Sequence, residues 1–298
     1  MPRQITTSLK WKRNVRRYLF ILPKLSMFAL VYVFPVGMAL FLSFTKWNIV
    51  GKPVFIGLEN YINMWQDFIF LKSLQVTLIF TFIRVPLTVF FSLILAVLVN
   101  MKIKGRSVFR TIYFVPPVSA VAISAVIWKL LVFHPQLGIL NHILEFMHFP
   151  PQDWLGNPNL ALFSIIIFGI WWDVGFYMVI FLGGLQSIPP VFYEAAKIDG
   201  AGSWKVFWKI TLPLLVPVMS VVFIMCTVWA LQLFSEPYLF TYGGPFYSTQ
   251  TLVLTVYKTC FKYNKVGYGS AISMFLLLAI LLFSFFELKY FRKKAFEY

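Results

Sequence analysis

Six stretches of this chain, near residues 19–44, 74–99, 111–133, 160–185, 214–240 and 267–289, stay apolar for about the length a helix needs to cross a hydrocarbon core. In lipid, every backbone N–H and C=O must find its partner inside the protein, so such stretches fold as helices. A soluble fold could not hide them. Of 298 residues, 60% are hydrophobic and 12% charged, whereas soluble domains carry about 25% charged residues. The sequence predicts an all-α polytopic membrane protein with six transmembrane helices. A single transmembrane domain spans 19–298, with its core at 73–290, and a basic tail occupies 1–18.

The net charge of +16 invites a nucleic-acid reading, but the basic residues sit in short runs between apolar stretches. That is the pattern of topology signals. With the N-terminus inside, 17 of the 26 Lys and Arg fall on inner segments: the tail, 102–110, the 186–213 loop and the C-terminal end. Six fall on outer segments, and Lys24, Arg84 and Lys129 lie in or near spans. Both termini are therefore expected in the cytoplasm, with no nucleic-acid partner. No cleavable signal peptide is expected, because the apolar stretch after Arg17 is too long for one and contains Pro23 and Lys24. Cys226, Cys260, His134, His142 and His148 show no metal-ligand spacing, and no metal site is expected.

One inner loop, 186–213, differs from the rest. It reads as two short helices around a turn. Pro190 suits a first helical turn, and Glu194 follows early against the helix dipole. Asp199-Gly200 marks a turn in which glycine takes positive φ. Ser203 is a candidate cap for the second helix, on which Trp204, Phe207 and Trp208 share a face. Such a hairpin is shaped to dock into a partner's groove. An ordinary interfacial helix is the other reading of these residues.

Glu194-Ala195-Ala196, Gly200, Ile210 and Leu212-Pro213 match, with no departure, the EAA motif of ABC importer permeases. Around the glycine stand Asp199 and Ala201. Further stretches, among them Arg110-Thr111-Ile112-Tyr113-Phe114-Val115-Pro116 and Thr241-Tyr242-Gly243-Gly244-Pro245, extend the resemblance over nearly the whole chain. It resembles the maltose-type carbohydrate uptake permeases, on the MalF and UgpA side, without MalF's extra outer domain and spans.

The resemblance implies a type I ABC importer permease fold, in the bacterial cytoplasmic membrane and surrounded by lipid. It implies a MalG-like second permease subunit, two copies of an ATPase docked on the 186–213 loops, and an extracytoplasmic solute-binding protein. The chain has no Gly-x-x-x-x-Gly-Lys-Ser/Thr sequence, so it is expected not to be an enzyme, and ATP and Mg belong to the partner ATPase. The expected solute path is lined by Trp172, Asp173, Phe176, Trp229, Gln232 and Leu233. Intramembrane charges are functional candidates by default. Arg84 and Asp173 read equally as pathway lining or as a structural ion pair. The expected solute is a neutral sugar or oligosaccharide; glycerol-3-phosphate or another polyol derivative is the alternative. A secondary transporter would explain the spans but not the loop, and no inverted repeat is visible.

Overall fold

The computed structural model describes residue 18, residues 20–101 and residues 104–295, the last three in backbone only. The basic tail, apart from Tyr18, and the side chains of Lys102, Lys293 and Lys294 lie outside the described residues.

In chain order come α1 (Phe20–Ser43), β1 (Thr45–Asn48), β2 (Val50–Phe55), α2 (Glu59–Met64) and α3 (Phe68–Asn100). A bent pair follows, α4 (Arg106–Val118) and α5 (Val121–Val132), then α6 (Ile139–Phe146) and α7 (Pro158–Ser187). The loop contributes α8 (Pro190–Ile198) and α9 (Ser203–Val206). The chain ends in α10 (Val216–Leu231), α11 (Ser235–Phe240), α12 (Leu252–Tyr257) and α13 (Val266–Ala295). Five helices among the described residues are long and apolar enough to cross a membrane, or six when the bent pair counts as one span.

The expected third span, 111–133, is not one straight helix. It bends by 101° between α4 and α5, because Ser119 and Ala120 are extended. Pro116 and Pro117 remove two N–H donors from the last turn of α4. Tyr113 thereby loses the helical donor that residue 117 would supply, and its carbonyl lies against Gly175 of α7, where any Cβ would clash. The missing side chain lets the two backbones touch. The span at 214–240 is also interrupted, at 232–234, between α10 and α11. Thr251 Oγ1 donates to the Leu233 carbonyl at this break, at 2.8 Å.

α3 runs 33 residues, well beyond the expected 74–99. The Asp67 side chain accepts from the Ile69 N–H and starts the helix a turn and a half before the apolar run begins. The β1–β2 hairpin was not legible in the sequence, since β2 buries no residue and so shows no in–out alternation. Its start is held by Asn60 Nδ2, which donates to the carbonyls of Ser43 and Thr45 at 2.8 and 2.9 Å.

The core lies where α3, α7 and α10 meet, around Phe80, Phe168, Met178, Phe181 and Val222. α1 has no residue buried over its apolar stretch; its side chains suit lipid. At the end opposite the 186–213 loop, the stretch Thr241–Pro245 is pinned down. Lys258 Nζ donates to the Tyr242 carbonyl and to Gln250 Oε1, at 2.8 and 2.7 Å. Burial, with Lys262 nearby, lowers the Lys258 amine to about 8.

Replacing Gly175 by leucine should push α4 off α7 and lower stability by about 1–3 kcal/mol, the usual range for overpacking. Thermal unfolding of purified protein in detergent measures this; an unchanged midpoint would contradict the contact.

A charged chamber and an exposed loop as candidate functional sites

Arg84 is the middle residue of α3. It is buried, as are Asp173 from the middle of α7 and Glu236 from α11. Arg84 Nη2 lies 2.6 Å from Asp173 Oδ2, and Nη1 lies 3.4 Å from Glu236 Oε1. Nη2 also donates to the Gly169 carbonyl at 3.3 Å, and the guanidinium stands over the Phe80 ring, 5.0 Å from its centre. Gly169 is one turn before Asp173 on the same helix face. A Cβ there would sit 2.7 Å from Arg84 Cζ, so the glycine makes the space in which the guanidinium reaches its carboxylate.

These groups border a cavity of about 430 Å³, together with Ser119, Trp172, Trp229, Gln232 and Leu233. Arg84 and Asp173 therefore do both things the sequence left open: they pair, and they form part of the wall. Of the residues expected along the solute path, Trp172, Asp173, Trp229, Gln232 and Leu233 meet at this cavity. Phe176 does not border it. Its ring stacks on Trp229 instead, with centroids 6.2 Å apart and planes at 18°, and so supports that wall. The sequence reading missed Glu236 and Ser119. Glu236 carried a usable signal, an acidic residue within the apolar stretch at 214–240, seven residues after Trp229 and on its helical face.

With all three groups ionised, the cluster carries one negative charge in excess. Each charge would cost about 2.5–3.5 kcal/mol at a membrane centre alone. Mutual pairing is what makes the cluster tolerable there.

The 186–213 loop forms the second site. α8 begins at Pro190, and Gly200 turns the chain with φ +68°. α9 continues through a wide turn at Phe207–Thr211 into Leu212–Leu214, which includes Pro213. The Tyr193 and Thr211 hydroxyls, 3.2 Å apart, join the two halves. Glu194, Ala195, Asp199 and Gly200 are exposed; Ala201, Ile210, Leu212 and Pro213 are half-buried and Ala196 is buried. Two expectations need correction. Gly202, not Ser203, is the cap of α9, and Ser203 begins the helix without a side-chain capping bond. Glu194 is the fifth residue of α8 and lies outside its first turn, where the dipole effect has faded; its carboxylate is free to face outward. Trp204 is 75% and Trp208 49% exposed, edge to face at 5.7 Å, an apolar surface that none of the described residues covers.

Among the described residues, no three His, Cys, Asp or Glu side chains group as metal ligands.

Replacing Arg84 by methionine leaves two buried carboxylates without a counter-charge and should lower stability by about 3–5 kcal/mol. Glu236→Gln, at the longer contact, should change it by less than about 1.5 kcal/mol. Chemical unfolding in mixed micelles compares the two. Equal effects would contradict the unequal geometry.

The chain matches the family model described as "Binding-protein-dependent transport system inner membrane component" over residues 77–294. It is 35% identical over 290 residues to the trehalose/maltose transport system permease protein MalF of Thermococcus litoralis, covering 97% of this chain and 98% of that protein. It is 36% identical over 258 residues to the sulfoquinovosyl glycerol transport system permease protein SmoG of Agrobacterium fabrum, covering 86% and 83%. Its fold matches a chain of a bacterial alginate ABC transporter with a TM-score of 0.83 at 21% identity, covering 97% and 98% of the two chains. A bundle of apolar spans, a charged chamber between them and an intact EAA loop agree with these likenesses: the chain belongs to the binding-protein-dependent transport system inner membrane components, the membrane-spanning permeases of ABC importers.

Proposed function

We propose that this chain forms half of the translocation pathway of an ATP-driven importer, and that the solute is a neutral sugar or oligosaccharide. The relatives are named for different solutes, so their names do not choose one. The observation that carries the reading is the charge of the chamber. Its one cation, Arg84, is engaged by two carboxylates, and two tryptophans complete the wall. A phosphorylated solute would want a free Arg or Lys for its oxygens. In this chamber it would meet excess negative charge, and repulsion is stronger where water is excluded. A polyhydroxyl solute instead finds carboxylate acceptors, the Gln232 amide and indole faces. Glycerol-3-phosphate remains the alternative that the experiment must separate.

The partners in this reading are a second, MalG-like permease subunit, two ATPase subunits that hold ATP and Mg, and an extracytoplasmic solute-binding protein. The exposed Glu194, Asp199 and Gly200, beside Trp204 and Trp208, support docking of the ATPase on the 186–213 loop. ATP closure of the ATPase dimer would move the docked loop and rock the adjoining α7 and α10, a two-state element biased by a ligand on a partner. The excess of Lys and Arg on the loop side supports cytoplasmic termini. Single cysteines placed at Ser203 and Leu137, with the natural Cys226 and Cys260 replaced, test this orientation. An impermeant thiol reagent added to intact cells should label only the Leu137 position, and labelling at Ser203 would refute it.

Transport in vesicles reconstituted with all partners tests the rest. Uptake of a neutral oligosaccharide should fall about tenfold in Trp229→Ala, the scale of one lost aromatic contact with its buried area. It should vanish in Glu194→Lys and Gly200→Asp while the protein stays in the membrane, because the first reverses the docking charge and the second strains a positive-φ turn. Glycerol-3-phosphate uptake that dies in Arg84→Ala, without uptake of neutral saccharides, would overturn the solute assignment.

A further inference from the structure

Five aromatic rings form a continuous ladder from the charged chamber to the end of the bundle opposite the 186–213 loop. Phe234 borders the chamber. Tyr238 and Tyr242 follow at intervals of four residues, along one face of α11 and just past its end. Their successive ring centres are 5.2 and 5.3 Å apart, and the planes of Phe234 and Tyr238 are 24° from parallel. From α12, the Tyr257 ring lies 5.2 Å from Phe234 and 5.6 Å from Tyr238. Phe261, one turn further on, lies 5.6 Å from Tyr257.

Packing alone does not account for this ladder. Rings that only join α11 to α12 belong in the core, yet Tyr242 is 40% and Phe261 73% exposed, and Phe234, Tyr238 and Tyr257 are half-buried. An interfacial aromatic belt accounts for it no better. Belt residues stand at the level of the headgroups, whereas this row descends to the chamber wall. The Tyr242 ring is also held in place, with Lys258 Nζ 4.4 Å and Lys262 Nζ 5.5 Å from its centre. Three of the five rings carry hydroxyls, so apolar surface and hydrogen-bonding groups stand side by side. A saccharide has the matching chemistry: its C–H faces stack on aromatic rings, and its hydroxyls need polar partners. A purely apolar occupant would leave the phenols unpaired.

We propose that this ladder is an entry track for the saccharide, along which sugar units pass from the outer side to Trp229 and Trp172 in the chamber. The inference rests on the neutral-sugar reading above and adds to it a binding surface outside the chamber. Continuity decides the occupant: the inner end of the row, Phe234, stands in the chamber wall itself, so the row leads where the solute goes. A row of rings holds several sugar units at once and so favours an oligosaccharide over a single sugar.

The test uses the importer reconstituted in vesicles with its second permease, ATPase and binding protein. The probe is the neutral saccharide that the wild type takes up best from a panel of mono- to pentasaccharides. Tyr242→Leu and Phe261→Leu should each lower uptake about fivefold at limiting solute, the scale of one lost aromatic contact. Tyr242→Phe, which keeps the ring, should retain most of the uptake. Phe261 is largely exposed, so its variant decides the matter even where Tyr242→Leu fails to fold. The second permease and the binding protein should co-purify with Phe261→Leu as with wild type. Loss of either would identify the rings as a docking surface for that protein and overturn the track. Uptake in Phe261→Leu equal to wild type would also overturn it and leave the importer reading standing. A wild-type importer that carries no neutral saccharide of the panel would overturn the neutral-sugar reading together with the track.

Discussion

A guanidinium held between two carboxylates at the middle of the bundle is the interaction on which the rest of the structure depends. Arg84 reaches Asp173 on α7 and Glu236 on α11, so one side chain of α3 ties together elements far apart in sequence. The alternatives are poor. A lone arginine at this depth is costly in lipid, and two adjacent buried carboxylates without a cation would repel. The cluster therefore constrains the packing of three helices, and it does so where they surround a cavity rather than a closed core.

The two broken spans follow from the same requirement. Backbone that leaves the helical pattern inside a membrane needs other partners or a water-lined cavity. At Ser119–Ala120 the break borders the chamber. At 232–234 it contributes Gln232 and Leu233 to the wall, and the Leu233 carbonyl is taken up by Thr251. Proline and glycine make these departures affordable: Pro116 and Pro117 remove donors from α4, and Gly175 lets the exposed carbonyl of Tyr113 approach α7. Polar backbone and polar side chains are thus brought to one place between otherwise apolar helices.

Much of this was legible in the sequence, for physical reasons. Apolar runs of span length report helices directly, and the spacing of Pro190, Gly200 and Pro213 reports a turn between two short helices. Trp172, Asp173 and Trp229 could be singled out because charge and large aromatics inside a span need a reason. The rest was hidden because it depends on tertiary context. The 101° bend between α4 and α5 looks in sequence like an ordinary apolar run containing prolines. The exposed strand β2 has no alternation to detect. Phe176 falls on the expected face by spacing, but its ring stacks on Trp229 instead of meeting the cavity. Glu236 sits near the end of the 214–240 run, where an acidic residue has no evident partner in sequence; its meaning emerges only when α11 folds back beside Arg84.

The central claim is that the chamber is open to solute and carries net negative charge. The most direct measurement places a single cysteine at Gln232, with Cys226 and Cys260 replaced, in the assembled importer. Its reaction rate is then compared between a trimethylammonium-bearing and a sulfonate-bearing thiol reagent of similar size. One uncompensated charge nearby should favour the cationic reagent by about tenfold, equivalent to about 1.4 kcal/mol of Coulomb bias, and Glu236→Gln should remove most of that preference. A sulfonate reagent that reacts as fast as the cationic one, or faster, would contradict the account.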